Sequence, residues 1–495
     1  MLNSLPQDRW TAETAAHLLN RAGFGGTPYD IEVVYRKGLG VSVRDLLNVN
    51  GAALNFPPPE WAKPRNIRQV RMEARADEKG TAERQEKMRE LRMMEGENIA
   101  DLRRWWVDRM RNGPAPLLEK MTLFWHGHFA TSIEKVKDAY WMWLQNDTFR
   151  RSAFGNFGAL VKKISRDPAM MIYLDLQQSR QEHPNENWAR ELMELFTVGI
   201  GNYSEQDIRE SARAFTGYRV DMTTQQFHFA PFQQDHANKT FIGRSGNLGG
   251  DDIIDTLMKQ PACAKFIGRK LWRFFVEDDP SPEIVDAVAA SIHAHNFEIG
   301  PVLRDIFTSS EFYSEGAMSS QIKSPVQFVV QTSKLLDAPL PAPVVLQNAL
   351  RQMGQNLFAP PNVKGWDGGK SWITTATLLF RYNFANYLIN GTSMLPANAP
   401  PRVAAQSMGV RRPGMYAEQM QRDPIDVSKL IPTDLREQPD KLVTLLASRL
   451  FPAPLPPKDT ETFVQFVQTR RPDTSDTTMR ELIHLMMSTP RFQLT

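Results

Sequence analysis

The chain has a single cysteine, Cys263, among its 495 residues. A disulfide within the chain is therefore excluded, and so is a zinc centre built from thiolates. In the stretch Pro261-Ala262-Cys263-Ala264 the thiol reads as a small buried apolar side chain. Long hydrophobic runs are lacking as well. No window approaches the ~18 unbroken apolar residues of a membrane-spanning helix, and Met1 to Trp10 shows no basic stretch followed by an apolar one. A soluble cytoplasmic protein is the expectation, with a trimmed export signal left open. There is no excess of one charge: 59 basic residues stand against 56 acidic ones, a net charge of +3. That balance supplies no global attraction to nucleic acid or to an anionic membrane, so no nucleic-acid partner is expected. The commonest hydrolase signatures are missing too. There is no Gly-x-Ser-x-Gly elbow and no His-Glu-x-x-His. The glycine-rich stretch Gly243 to Gly250 fits neither a Walker loop nor a Rossmann fingerprint, and the acids Asp251 and Asp252 behind it would repel a phosphate.

What is present is helical periodicity. The apolar fraction of 41% and charged fraction of 23% are those of a globular protein, and the length suggests more than one core. Strand-like runs are few, at about Phe227 to Phe229 and Thr240 to Ile242. The expected class is mainly α: a multi-helix orthogonal or bundle-like array with a small irregular or β insertion near 217–250. Residues 1–395 read as the main helical domain. They include a charged stretch at about 68–111 in which Glu and Lys/Arg recur at helical spacing, as in one long solvated helix or a helical hairpin. Residues 396–425, rich in Pro and Arg, read as a linker, and 426–495 as a C-terminal helical segment.

Two clusters carry candidate chemistry. Phe124-Trp125-His126-Gly127-His128-Phe129 places two histidines one residue apart in an apolar segment. About sixty residues later, Asn185 to Val198 reads as one helix, with Trp188, Leu192, Leu195 and Phe196 on its core face. Asn187, Glu191 and Glu194 fall in a stripe beside that face. Imidazole and carboxylate suit a divalent or transition metal. His126, His128, Glu191 and Glu194 are thus candidate ligands, with Glu191 and Glu194 also candidate acid/base groups, as in carboxylate sites of helical bundles. Histidines at i and i+2 on a helix point about 200° apart, so the pair converges only if the segment is extended or turns at Gly127. Asn187 and Arg190 would orient the ligands. His236 and Lys239, in the loop Asp235 to Thr240, are further candidates, His236 as a third imidazole. The competing reading is a glutamate–arginine network holding helices together, with both histidines packed as polar core residues.

Several of these stretches carry a family resemblance: His17 to Gly25 (HLLNRAGFG), Phe124 to Phe129 (FWHGHF), Pro184 to Phe196 (PNENWARELMELF), Gly199 to Asp207 (GIGNYSEQD), Lys239-Thr240-Phe241 and Pro360 to Trp366 (PPNVKGW). Together they resemble the bacterial domain-of-unknown-function family numbered 1800. The resemblance implies little chemistry, because that family has no settled activity. It implies a functional pairing with proteins of the family numbered 1501, which are similar to alkaline phosphatases or sulfatases, and it brings in periplasmic or exported relatives. Two functional expectations follow: a metal-dependent enzyme, hydrolytic or oxidative, with a His/Glu site, or a non-catalytic helical scaffold that assembles with such a partner.

Overall fold

The structure, a computed structural model, describes residues 2–49, 51–65, 81–391 and 422–495. It is 61% helical, and the strands among the described residues form only two small antiparallel hairpins. The mainly α expectation is met. Proline opens helix after helix, at Pro116, Pro261, Pro325 and Pro343 among others. Its missing N–H costs nothing there, and its fixed φ suits the first turn. Side chains cap other helices. Ser204 and Asp207 form a reciprocal box. Two helices, Gly250–Met258 and Pro261–Phe275, follow one another and are divided at Pro261.

The insertion consists of Tyr218–Asp221 paired with Gln226–Phe229, and Lys239–Phe241 paired with Arg244–Gly246. The second hairpin turns through Ile242 and Gly243, both at positive φ (44° and 78°), the geometry of a tight two-residue turn.

The charged stretch is a helix over Thr81–Asn112, while 66–80 lies outside the described residues. It is not solvated throughout. Leu102, Trp106, Val107 and Met110 are buried, and so are Arg103 and Arg109. These guanidiniums are tolerated because each has a partner: Arg103 donates to the Leu357 carbonyl at 2.8 Å and Arg109 to Glu119 at 2.9 Å.

Of the expected linker, 396–421 lies outside the described residues. The segment beyond it forms the helices Pro439–Leu450, Pro457–Arg470 and Asp476–Met487. Their buried Leu442, Leu446, Leu482 and Met486 share one core with Val326, Val329, Leu346 and Phe384. A larger core holds Trp125, Phe157, Trp188, Phe196, Leu271 and Trp272. The Pro116–His128 helix contributes to both, with Trp125 and Phe124 in the larger and Leu123 in the other. All its residues except Pro116 and Gly127 are buried, so it has no solvated face, as expected of a helix in the middle of a large protein.

Candidate functional site: a cationic cavity beside the two-histidine helix

His126 and His128 lie on a regular helix that continues to His128. The turn at Gly127 that would let them converge is absent, and they point to different surroundings. His126 sits between Trp106, Phe358 and Trp366, with ring centroids 5.2, 4.9 and 5.6 Å away. Its Nε2 accepts the Phe358 N–H at 3.0 Å, which places its proton on Nδ1. Burial, helped by the Arg103 charge, lowers its pKa to about 3. His128 faces Phe129, Phe157 and Phe196. Its Nε2 is 3.0 Å from the Phe196 carbonyl. A carbonyl only accepts, so Nε2 carries the proton and Nδ1 is an acceptor. Burial, then the Lys270 charge, depresses its pKa well below the ordinary value.

The expected single helix from Asn185 to Val198 is α-helical only over Glu186–Glu191 and π-helical over Leu192–Thr197. The wider turn is closed by the Gly199 N–H on the Met193 carbonyl at 2.8 Å and by the Thr197 hydroxyl on the Leu192 carbonyl at 2.5 Å. Such turns leave carbonyls near a helix end in need of donors. The Leu195 carbonyl takes one from Lys270 Nζ at 2.9 Å, and the Phe196 carbonyl takes one from His128.

Glu191 and Glu194 are half-buried on this helix. Glu194 accepts from the Tyr203 hydroxyl at 3.3 Å. Burial and the neighbouring Glu194 charge raise the pKa of Glu191. Arg190 pairs bidentately with Glu205, both contacts at 2.9 Å, and more loosely with Glu186 at 3.7 Å. Asn187 donates to the Leu174 carbonyl. His236 is exposed, with Nε2 3.1 Å from the Pro231 carbonyl. Lys239 is buried and donates to the carbonyls of Asp235 and Ala237. Among the described residues no three His, Cys, Asp or Glu side chains stand together as a group able to hold a metal ion. The four expected ligands therefore do not form a common shell.

What the structure does bring together is a cavity of about 370 Å³ along the Pro116–His128 helix. Its walls are Phe124, Gly127 and His128 from that helix, Lys270, Arg273 and Phe274 from Pro261–Phe275, and the loop carrying Lys364, Trp366 and Trp372. A Cβ built on Gly127 would meet nothing within 4 Å, whereas one on Gly365 would overlap the Gly127 carbonyl oxygen. The loop can therefore lie directly on the helix only because residue 365 is glycine, at φ 87°.

The chemistry of the cavity is set by two lysines. Lys120, in the apolar helix, donates to Gln327 Oε1 at 2.5 Å and stands 5.1 and 5.7 Å from the ring centres of Phe24 and Phe274. Gln327 is held in turn by the Asn20 carbonyl. Lys270 donates to the Leu195 carbonyl and lies 3.2 Å from His128 Nδ1. Neither lysine has a carboxylate partner among the described residues. Burial lowers both to about 7. The Arg21 charge adds to this at Lys120, and the Arg273 and Lys364 charges at Lys270. The lining side chains carry four cations, Lys120, Lys270, Arg273 and Lys364, against two carboxylates, Asp278 and Asp367. Asp367 is already paired with Lys364 at 2.9 Å.

Sequence reasoning passed over both lysines. Lys120 left one trace, a lone cation in an otherwise apolar helix. Lys270 sits in Arg269-Lys270 on a helix with an ordinary exposed face and left none. Trp366 both packs on His126 and lines the cavity.

Fold and cavity together define a mainly helical protein with a cationic, aromatic-walled cavity. Residues 17–494 match the model of the family described as protein of unknown function DUF1800, and the chain belongs to that family. No curated protein and no solved structure matches the chain. No helix among the described residues is long and apolar enough to cross a membrane.

Proposed function

We propose that the protein binds a small anionic molecule with an apolar or aromatic body in the cavity beside the Pro116–His128 helix. The observation that carries this reading is the pair Lys120 and Lys270: two desolvated amines lining one cavity, from two different helices, neither ion-paired with a carboxylate among the described residues. Burying a cation without a counter-ion is costly, and an incoming carboxylate or phosphate offsets that cost. Phe124, Phe274, Trp366 and Trp372 supply the apolar surface. The volume falls within the range of small-molecule sites, in which a few polar groups orient a ligand held mainly by apolar contact. Perturbed amines in a cleft are also a mark of functional sites. A metal-dependent activity, the alternative that the sequence raises, would need ligands other than the set His126, His128, Glu191 and Glu194.

The test is calorimetric titration of the purified chain with phosphate, benzoate and phenyl phosphate, repeated on Lys120→Met and Lys270→Met. Phenyl phosphate should bind more tightly than either fragment, and each substitution should weaken it by about tenfold or more, the effect of losing a charged hydrogen bond. Equal affinity in wild type and both variants would overturn the reading.

A further inference from the structure

Lys270 Nζ has two hydrogen-bond acceptors, the Leu195 carbonyl at 2.9 Å and His128 Nδ1 at 3.2 Å, and stands 4.7 Å from the ring centre of Phe266. A tetrahedral amine nitrogen has four directions. One is taken by its own carbon and two by these acceptors. No third protein acceptor is present among the described residues, and the side chain lines the cavity. The acceptors are fixed by the fold. Leu195 belongs to the π-helical turn, and His128 is locked in the Nε2-protonated tautomer by the Phe196 carbonyl.

We propose that Lys270 is an amine nucleophile, which captures the carbonyl group of an anionic aldehyde or ketone in the cavity as an imine. This rests on the cavity being an anion site, as proposed above. In the neutral amine the two N–H bonds point at Leu195 and His128, and the lone pair takes the fourth direction. The lone pair adds to the carbonyl carbon, and the carbon–oxygen π pair moves to oxygen. A proton passes from nitrogen to that oxygen, giving a carbinolamine. Loss of the hydroxyl with the remaining N–H proton, as water, forms the C=N bond. Aldehyde plus amine gives imine plus water, with no change of oxidation state.

Desolvation and neighbouring cations are the two means by which a lysine becomes nucleophilic near neutral pH. Lys270 has both: its pKa is lowered to about 7 by burial and by the Arg273 and Lys364 charges. Lys120 is as strongly shifted, and both amines stand near aromatic rings; Lys120 differs in that its amine is held by the Gln327 side chain. Its part is to hold the ligand's negative group. The ligand class is therefore a carbonyl compound that carries a carboxylate or a phosphate.

Pyridoxal phosphate, an anionic aromatic aldehyde, is the probe, and pyridoxine phosphate, which has the same anion and ring but no carbonyl, is its control. The full chain is incubated with pyridoxal phosphate, reduced with borohydride and mapped by peptide mass spectrometry. One label per chain on Lys270 is expected, reduced at least tenfold in Lys270→Arg, with pyridoxine phosphate quenching the tryptophan fluorescence of the wild-type chain. Label on Lys120, or spread evenly over exposed lysines, while pyridoxine phosphate binds, would overturn the nucleophile and leave the anion site standing. If pyridoxine phosphate fails to bind as well, the anion site falls too. An unchanged circular dichroism spectrum of Lys270→Arg shows that loss of label is not loss of fold.

Discussion

Lys270 Nζ lies 3.2 Å from His128 Nδ1 and 2.9 Å from the Leu195 carbonyl. One side chain thus joins the Pro261–Phe275 helix to the two-histidine helix and to the π-helical turn. Lys270→Met removes both contacts and leaves a buried carbonyl without its donor. Urea unfolding should show a loss of about 1–3 kcal/mol. A double-mutant cycle with His128→Phe should give a coupling above about 0.5 kcal/mol. Strict additivity would mean that the two side chains do not interact.

His126 holds the Phe358 N–H inside an aromatic cage. His126→Ala opens a cavity and orphans that N–H, so a loss of about 2–4 kcal/mol is expected. Glu191→Gln alters a half-buried side chain and should change stability by less than about 0.5 kcal/mol. Elemental analysis should give the same metal content for wild type and both variants. A stoichiometric metal lost in both would restore the shared shell.

Gly365 combines a φ of 87° with a closest neighbour that is backbone, the Gly127 carbonyl. Gly365→Ala meets strain and overlap together. A loss of at least about 2 kcal/mol by thermal unfolding is expected. Gly316→Ala, where a Cβ meets nothing within 4 Å and no positive φ is recorded, is the matched control and should be near neutral.

Glu119 is buried and accepts from Arg109, Arg150 and the Trp106 indole, at 2.8 to 2.9 Å. Burial alone would raise its pKa; the Arg150 and then the Arg109 charges outweigh it and keep the group ionised. Glu119→Gln leaves two buried guanidiniums without a counter-charge. A loss of about 3–5 kcal/mol is expected from chemical denaturation, and a change under 1 kcal/mol would show that the triad is dispensable.

Lys323 is buried against the Phe492 ring, with its pKa lowered from 10.5 to about 7 by burial and by the Arg381 charge. The folded state therefore binds fewer protons than the unfolded chain between pH 7 and 10.5. Stability from this group rises with pH across that window, by up to about 1.4 kcal/mol per pH unit, and is flat below it. Lys323→Met should lose ground against wild type from pH 7 to pH 10 in melting experiments. A constant difference would show that the lysine titrates normally.

How much was legible follows from how far each signal reaches along the chain. Helix starts such as those at Pro116, Pro261 and Ser204 depend on residues within one turn. The β hairpin at Lys239–Gly246 was half visible, since its second strand, Arg244–Gly246, has no apolar alternation. The end of the Asn185–Val198 helix was read as ordinary α, because the switch to π depends on where the carbonyls of Leu195 and Phe196 find donors. Those donors, His128 and Lys270, lie 68 and 75 residues away in sequence.

By itself the sequence determined the mainly helical class, the lack of a disulfide within the chain, and the family, since these depend on composition, local periodicity and motif order. Only the tertiary structure decided what the motif residues face. A 100° step per residue turns His126 and His128 to opposite sides of a largely buried helix, and contacts between distant parts of the chain bring Lys120, Lys270 and Trp366 to one cavity. A charge's effect depends on what surrounds it in space, and spacing along the chain does not record that.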